Sequence, residues 1–205
     1  TGLFVLESSP EMDLTSFNLY LNVTANYFTL SLLMPILYIF AGVNGAGKST
    51  LTQSQFNKVI TYKVNADEIS RRNGWDWHDD SKNLSAMRIA RNELQEHLER
   101  RETCSFETTL VAHAKTYMKI LNYAKNKGFK LYLLYVGLSS AELAIKRVKS
   151  RVTNGGHGVT EKMIIKRYDR SLNMLHELIS EFDFVSLYDN SGDSLVRIYQ
   201  RIGNM

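Results

Sequence analysis

The 205 residues are 44% hydrophobic and 22% charged, enough apolar material for one domain with a real core and too little charge bias for a disordered chain. A single cysteine, Cys104, excludes a disulfide framework and a cysteine-based metal cluster, and the five scattered histidines carry no HExxH or other metal-ligand spacing. The net charge of +4 is uneven: residues 1–33 hold Glu7, Glu11 and Asp13 and no Lys or Arg, so the remainder carries all 25 basic residues and suits an anionic ligand.

Taken in chain order, residues 1–33 read as an N-terminal extension of open role: an accessory piece, a fused piece or translated upstream sequence. Asn18 to Leu33 is compatible with a helix or a strand pair. Phe17 to Phe40 is uncharged and long enough to raise a membrane span, but Asn18, Asn22 and Asn26 interrupt it and no basic residue precedes it. No positive n-region marks a secretory signal, and the expected location is cytoplasmic, without a membrane partner. From Met34 a second composition begins, and residues 34–205 are expected to form the domain proper. Ile36 to Ala41 is a continuous apolar run, as in a buried parallel strand. Lys48 to Phe56 predicts a helix and Val59 to Val64 a strand. Ser81 to Arg101 predicts a long helix, with Leu84, Met87, Ala90, Leu94 and Leu98 on its apolar face. Ser105 to Thr108 reads as a short strand, and Ala112 to Lys127 as a helix ended by Gly128. Leu131 to Leu138 is the most apolar strand. Ser139 with Glu142 predicts a capping box for a helix to about Arg151. After a glycine-rich loop, Asn154 to Gly158, Thr160 is expected to cap a helix with Ile164, Tyr168, Leu172 and Leu175 on one face. Phe184 to Tyr188 closes the series. This alternation predicts an α/β fold of three layers, a mostly parallel five-stranded sheet with helices on both faces.

Gly42-Val-Asn-Gly-Ala-Gly-Lys-Ser49 matches GxxxxGK[ST], with Thr50 behind it. Glycines let the backbone curl so that its N–H groups point at phosphates, and the following helix adds its positive end. Gly42, Asn44, Gly45, Ala46, Gly47, Lys48, Ser49 and Thr50 are therefore expected to bind ATP. Lys48 is expected to reach the β- and γ-phosphates and Ser49 to ligate Mg2+. The guanine-reading NKxD pattern is absent, since Asn126-Lys-Gly-Phe129 lacks its aspartate, and the chain has no second segment for a mechanical ATPase. A kinase of P-loop NTPase type is the reading that remains.

A kinase needs a carboxylate to take the acceptor's proton. Asp67 follows the second predicted strand and is either that base or a helix N-cap. Glu107 ends the third strand, where it either holds magnesium through water, grips acceptor hydroxyls, or is merely a polar strand end. Thr108 and Thr109 are placed to hydrogen-bond an acceptor. Arg88 and Arg91 either clamp an acidic acceptor or are solvated. Arg147 and Arg151, with Arg167 and Arg170 beyond Gly155 to Gly158, suit a lid over the triphosphate, the alternative for each being surface charge. Nucleic acid is not an expected partner, because no Lys/Arg-rich run is present.

Together these segments resemble the zeta-toxin family of bacterial toxin–antitoxin systems. The matching pieces are Ala41 to Thr50, Asn65-Ala-Asp67, Arg91, Ser105-Phe-Glu-Thr-Thr-Leu110, and Arg151 through Gly155-Gly-His157 to Arg167-Tyr-Asp-Arg-Ser171. The match spans about residues 35 to 191 and is nearest to short zeta-like chains with a glycine-glycine-histidine lid. The resemblance implies a P-loop kinase fold, ATP and magnesium, phosphorylation of a sugar hydroxyl of UDP-N-acetylglucosamine, and an antitoxin partner. It implies that Asp67 is the base, Lys48 and Ser49 the phosphate and magnesium residues, Glu107 an acceptor contact and Arg151 a lid arginine. The larger toxins carry more sequence around the acceptor pocket than this chain has. Two other readings stay open: a kinase of another small molecule or nucleotide, and an ATP-binding module that transfers nothing.

Overall fold

Beyond Met34, the apolar runs of the sequence are matched by strands and helix faces in the computed structural model, which describes residues 34–203. The reading of residues 1–33 lies outside them. The elements are β1 (Ile36–Ala41), α1 (Lys48–Gln55), β2 (Tyr62–Val64), α2 (Ala66–Arg72), α3 (Asp80–Glu99) and β3 (Cys104–Thr108). There follow α4 (Ala114–Asn126), β4 (Lys130–Gly137), α5 (Ala141–Thr153), α6 (Glu161–Leu178), a 3-10 turn (Ile179–Glu181), β5 (Phe184–Asp189) and β6 (Val196–Ile202).

The strands form one six-stranded sheet in the order β2-β3-β1-β4-β5-β6. All pairings are parallel except β5 with β6. The sheet therefore has the predicted parallel body plus one strand more than expected. That strand, Val-Arg-Ile-Tyr-Gln-Arg-Ile, lies at the edge with most of its side chains exposed. Arg201 ties it down by donating to the carbonyls of Ile179 and Phe182.

The pleat of β1 sorts its side chains into two cores. Leu37, Ile39 and Ala41 pack on one face with Ala90, Leu94 and Leu98 of α3, Leu121 of α4 and Leu178 of α6. Tyr38 and Phe40 pack on the other with Leu51 of α1, Val148 of α5 and Ile164 of α6. Helices thus cover both faces, as a parallel sheet requires. All of β1 after Ile36 is buried, and complete burial of such side chains contributes about 1.5–3 kcal/mol each.

Several local expectations shift. The second strand shrinks to three residues, with Val59 exposed. In α3, Leu84 and Met87 are exposed while Ala86 takes the core position, so the apolar face is carried by small residues in the first turns. Ser140 caps α5 through Leu143 N–H in place of the predicted Ser139, whose N–H instead donates to Ser191 Oγ. Thr160 precedes α6 without a side-chain cap bond, and Leu172 is exposed while Ser171 and Met174 are buried. The strand order places the carboxyl ends of β1 and β3 side by side at the point where crossovers diverge, the place where open α/β sheets bind ligands.

Candidate active site

The loop between β1 and α1 is held open from below by its own backbone. Gly42 has φ 136°, and a Cβ there would lie 2.2 Å from the Val136 carbonyl oxygen of the neighbouring strand. Gly47 has φ 98° at the N-cap of α1, and a Cβ there would meet the Asn190 side-chain amide at 2.6 Å. That amide donates to the Ala46 carbonyl at 2.8 Å, so the loop after β5 braces the phosphate loop. Asn44 is buried and accepts from Arg167 Nη1 at 3.0 Å, a brace from α6 on the other side. Lys48 is buried and donates to the Val43 carbonyl at 3.1 Å, its chain curled across the loop. Thr50 is exposed on the outer side of α1.

The predicted carboxylates converge on this lysine. Ser49 Oγ donates to both oxygens of Glu107, at 2.9 and 3.1 Å, which ties the first turn of α1 to the end of β3. Burial pushes the Lys48 ammonium below its ordinary value, opposed by Glu107 and Asp67. Burial likewise pushes the Glu107 carboxyl up, opposed by Lys48 and the Ser49 hydroxyl. Each group offsets the cost of burying the other. Asp67 sits in the first turn of α2, and the cap of that helix is Asn65, whose Oδ1 accepts from Asp67 N–H at 2.9 Å. The capping alternative for Asp67 is therefore set aside: its backbone is capped by another residue, and its carboxylate stays half-exposed and faces the crevice. His157 Nε2 lies 3.6 Å from Asp67 Oδ1.

Arg151 completes the cluster. Its Nε and Nη2 are buried without a hydrogen-bond partner among the described residues. An unmet buried donor costs about 1–3 kcal/mol, more when it is charged, so an anion reaching this guanidinium would relieve that cost. Arg147, one turn earlier on α5, donates to the Gly192 carbonyl at 3.4 Å and lies beside Gly45. Burial lowers Arg167, with Asp67 opposing.

Two expected acceptor residues are placed otherwise. Thr108 Oγ1 accepts from Leu110 N–H at 3.1 Å and pairs with the Tyr117 hydroxyl at 3.0 Å, fixing the turn in which Leu110 takes φ 58°. It serves the strand end, while Thr109 remains half-buried beside it. Arg91 is exposed and lines a groove of about 190 Å³ with Leu94, Lys119 and Tyr123. No hydrogen bond or ion pair among the described residues links it to Lys48, Asp67 or Glu107.

The sequence reading missed Asn190, Trp77 and the pairing of His157 with Asp67. The only advance signal was the run of glycines around His157. As for a metal, no group of three or more His, Cys, Asp or Glu among the described residues is placed to hold one. Ser49 and Glu107 do offer hard oxygen ligands beside the phosphate loop, a donor set that fits magnesium, which takes one or two protein oxygens plus phosphate. No helix among the described residues is long and apolar enough to cross a membrane.

The comparisons agree with this architecture. The family model AAA_33, an AAA domain, matches residues 37–172. An uncharacterised protein of Haemophilus influenzae is 26% identical over 131 residues, which span 63% of this chain and 89% of that protein. The structure of the PezAT chromosomal toxin–antitoxin system of Streptococcus pneumoniae superposes with a TM-score of 0.59 at 19% identity, covering 93% of this chain and 82% of that one. AvrRxo1-ORF1:-ORF2 with ATP superposes with a TM-score of 0.64 at 13% identity, covering 83% of this chain and 59% of that one. The resemblance read from the motifs thus holds at the level of fold.

Proposed function

The chain belongs to the AAA_33 family of AAA domains, and from that premise we propose that it is an ATP- and magnesium-dependent kinase of a sugar hydroxyl on a nucleotide sugar, most simply UDP-N-acetylglucosamine. The observation that carries the reading is the convergence of Asp67, Glu107 and Arg151 on a phosphate loop whose lysine is already buried. A module that only binds ATP needs the loop and its lysine; it has no use for a half-exposed carboxylate held opposite them.

The division of labour follows from the chemistry. Backbone N–H groups from Gly45 to Ser49 and the positive end of α1 receive the phosphates. Lys48 gives up its contact with Val43 and turns to the β- and γ-oxygens. Ser49 and Glu107 would hold magnesium, which when bound neutralises charge on the phosphates. Asp67 orients the acceptor hydroxyl and takes its proton as the hydroxyl oxygen bonds to the γ-phosphorus and the bond from that phosphorus to the β,γ-bridging oxygen breaks, with ADP as the leaving group. Arg151, two of whose buried donor nitrogens have no partner among the described residues, receives the charge of the transferring group. Arg147 lies nearer the loop after β5 and serves the nucleotide.

The solved toxin–antitoxin system of the same fold supports a biological setting in which such a kinase acts as a toxin held by an antitoxin, in the cytoplasm. Residues 1–33 are, on this reading, an appendage to a catalytic domain of residues 34–205. The test is a screen of UDP-sugars and nucleotides as acceptors for labelled phosphate from ATP. Transfer to a nucleotide sugar supports the reading. Transfer only to a nucleotide or another small molecule favours a different kinase, and binding of ATP without transfer favours the module.

A further inference from the structure

The segment between α5 and α6 is packed down, and its glycines show how. Gly156 N–H donates to the Arg151 carbonyl at 2.9 Å, and a Cβ on Gly156 would lie 2.5 Å from Arg151 Cγ. Gly158 is buried, and a Cβ there would lie 2.5 Å from two ring carbons of Trp77. Glycines on both sides of His157 thus let the strap touch α5 on one flank and the segment after α2 on the other. Trp77 is itself fixed: its ring stacks on His78 at 3.5 Å, and its carbonyl accepts from Asn83 Nδ2 at 2.8 Å.

Trp77 is half-buried, with His78 stacked on its ring and Gly158 against its six-membered ring. Its role is to receive the strap. What the strap delivers is His157, whose side chain is only 15% exposed and whose Nε2 lies 3.6 Å from Asp67 Oδ1. The charged neighbours of this imidazole are Asp67, Arg151 and Arg167.

We propose that His157 is a positioning residue for Asp67: closure of the strap onto Trp77 brings an imidazole N–H to one carboxylate oxygen, so that the other faces the acceptor hydroxyl. The inference rests on the reading of Asp67 as the general base. A separation of 3.6 Å must shorten by about half an ångström to become a hydrogen bond, the kind of tightening that acceptor binding brings. A donor on Oδ1 fixes the rotation of the carboxylate and leaves the transferred proton on Oδ2. His157 neither gives nor takes the proton in transit.

The experiment uses the full chain with labelled ATP and magnesium, with UDP-N-acetylglucosamine and water as acceptors in the same reactions. His157→Ala should lower kcat about 10-fold or more and leave KM for ATP within about threefold. His157→Gln keeps an N–H donor and should restore part of that loss. Gly158→Ala keeps the imidazole but pushes the strap off Trp77, and should resemble His157→Ala. In an Asp67→Asn background, His157→Ala should add less than about a twofold further loss, because a residue acting through Asp67 has nothing left to position. The inference is overturned if Asp67→Asn is slow while His157→Ala matches the parent, or if the two losses multiply. If Asp67→Asn itself matches the parent, the base assignment fails first and this inference goes with it.

Discussion

The donor side and the acceptor side of the crevice are built in opposite ways. On the donor side a contiguous loop is braced from three directions, by Val136, Asn190 and Arg167, and its lysine and asparagine are buried with partners. On the acceptor side, single residues arrive from four separate segments: Asp67 from α2, Glu107 from β3, Arg151 from the last turn of α5, and His157 from the strap. Two of these are incompletely paired: Arg151 has two buried donors without partners among the described residues, and Asp67 is half-exposed. A finished site and an expectant one therefore share a wall. On the proposed function, the difference teaches that phosphate would be held by preformed geometry and the chemistry done by groups whose partners come with the substrates.

The largest effect should come from breaking the finished side. Lys48→Ala is expected to lower turnover by about 10³-fold or more, since Lys48 is the cation inside the loop. Titration of ATP and measurement of phosphate transfer check this, and near-parent values of both would show that the loop does not hold a reacting phosphate.

A smaller effect should separate the two sides at the arginines. Arg151→Ala is expected to slow transfer about 10- to 100-fold with a lesser change in ATP affinity, whereas Arg147→Ala, whose guanidinium already meets the Gly192 carbonyl, should cost only a few-fold. Rates for both, with Arg167→Ala and Arg170→Ala beside them, decide which arginine covers the phosphoryl group. Losses below a few-fold in all four would show that none of these arginines covers the phosphoryl group.

The smallest effect concerns the start of the chain. A protein beginning at Met34 should bind ATP and transfer phosphate within about twofold of the full chain, because every residue given a role lies in 42–192. Loss of ATP binding would make residues 1–33 part of the core, and a gain of activity would make them a built-in inhibitor.

Much of the donor side was legible because its residues are neighbours in sequence: GxxxxGK[ST] after an apolar strand implies its own geometry. The carboxylates were legible by a weaker rule, that the carboxyl end of a parallel strand faces the crevice, and in the structure Asp67 and Glu107 both act on the charge of Lys48. The braces were hidden because each joins residues far apart in the chain: Asn190 with Ala46, Arg167 with Asn44, and His157 with Asp67. The bonds of Thr108 to its own turn were not legible, because a hydroxyl at a strand end serves a turn as readily as a ligand. Leu84 and Met87 fit a helical period yet point outward, since burial of the first turns of α3 is decided by what packs there and not by the period alone. The sixth strand carries a period of two, but its charged residues and exposed apolar side chains hide an edge strand that buries little.

The central claim is that the protein transfers phosphate from ATP to a nucleotide-sugar hydroxyl with Asp67 as base, and one paired measurement tests it most directly. The purified 205-residue chain and its Asp67→Asn variant are incubated with γ-labelled ATP, magnesium and UDP-N-acetylglucosamine, and label on the sugar nucleotide is followed over time alongside ATP affinity. The account predicts label transfer by the parent, a fall of about 10²-fold or more in the variant, and ATP affinity within about threefold between the two. Transfer by Asp67→Asn at the parent rate, or ATP bound by both with no label reaching any nucleotide sugar, would contradict it.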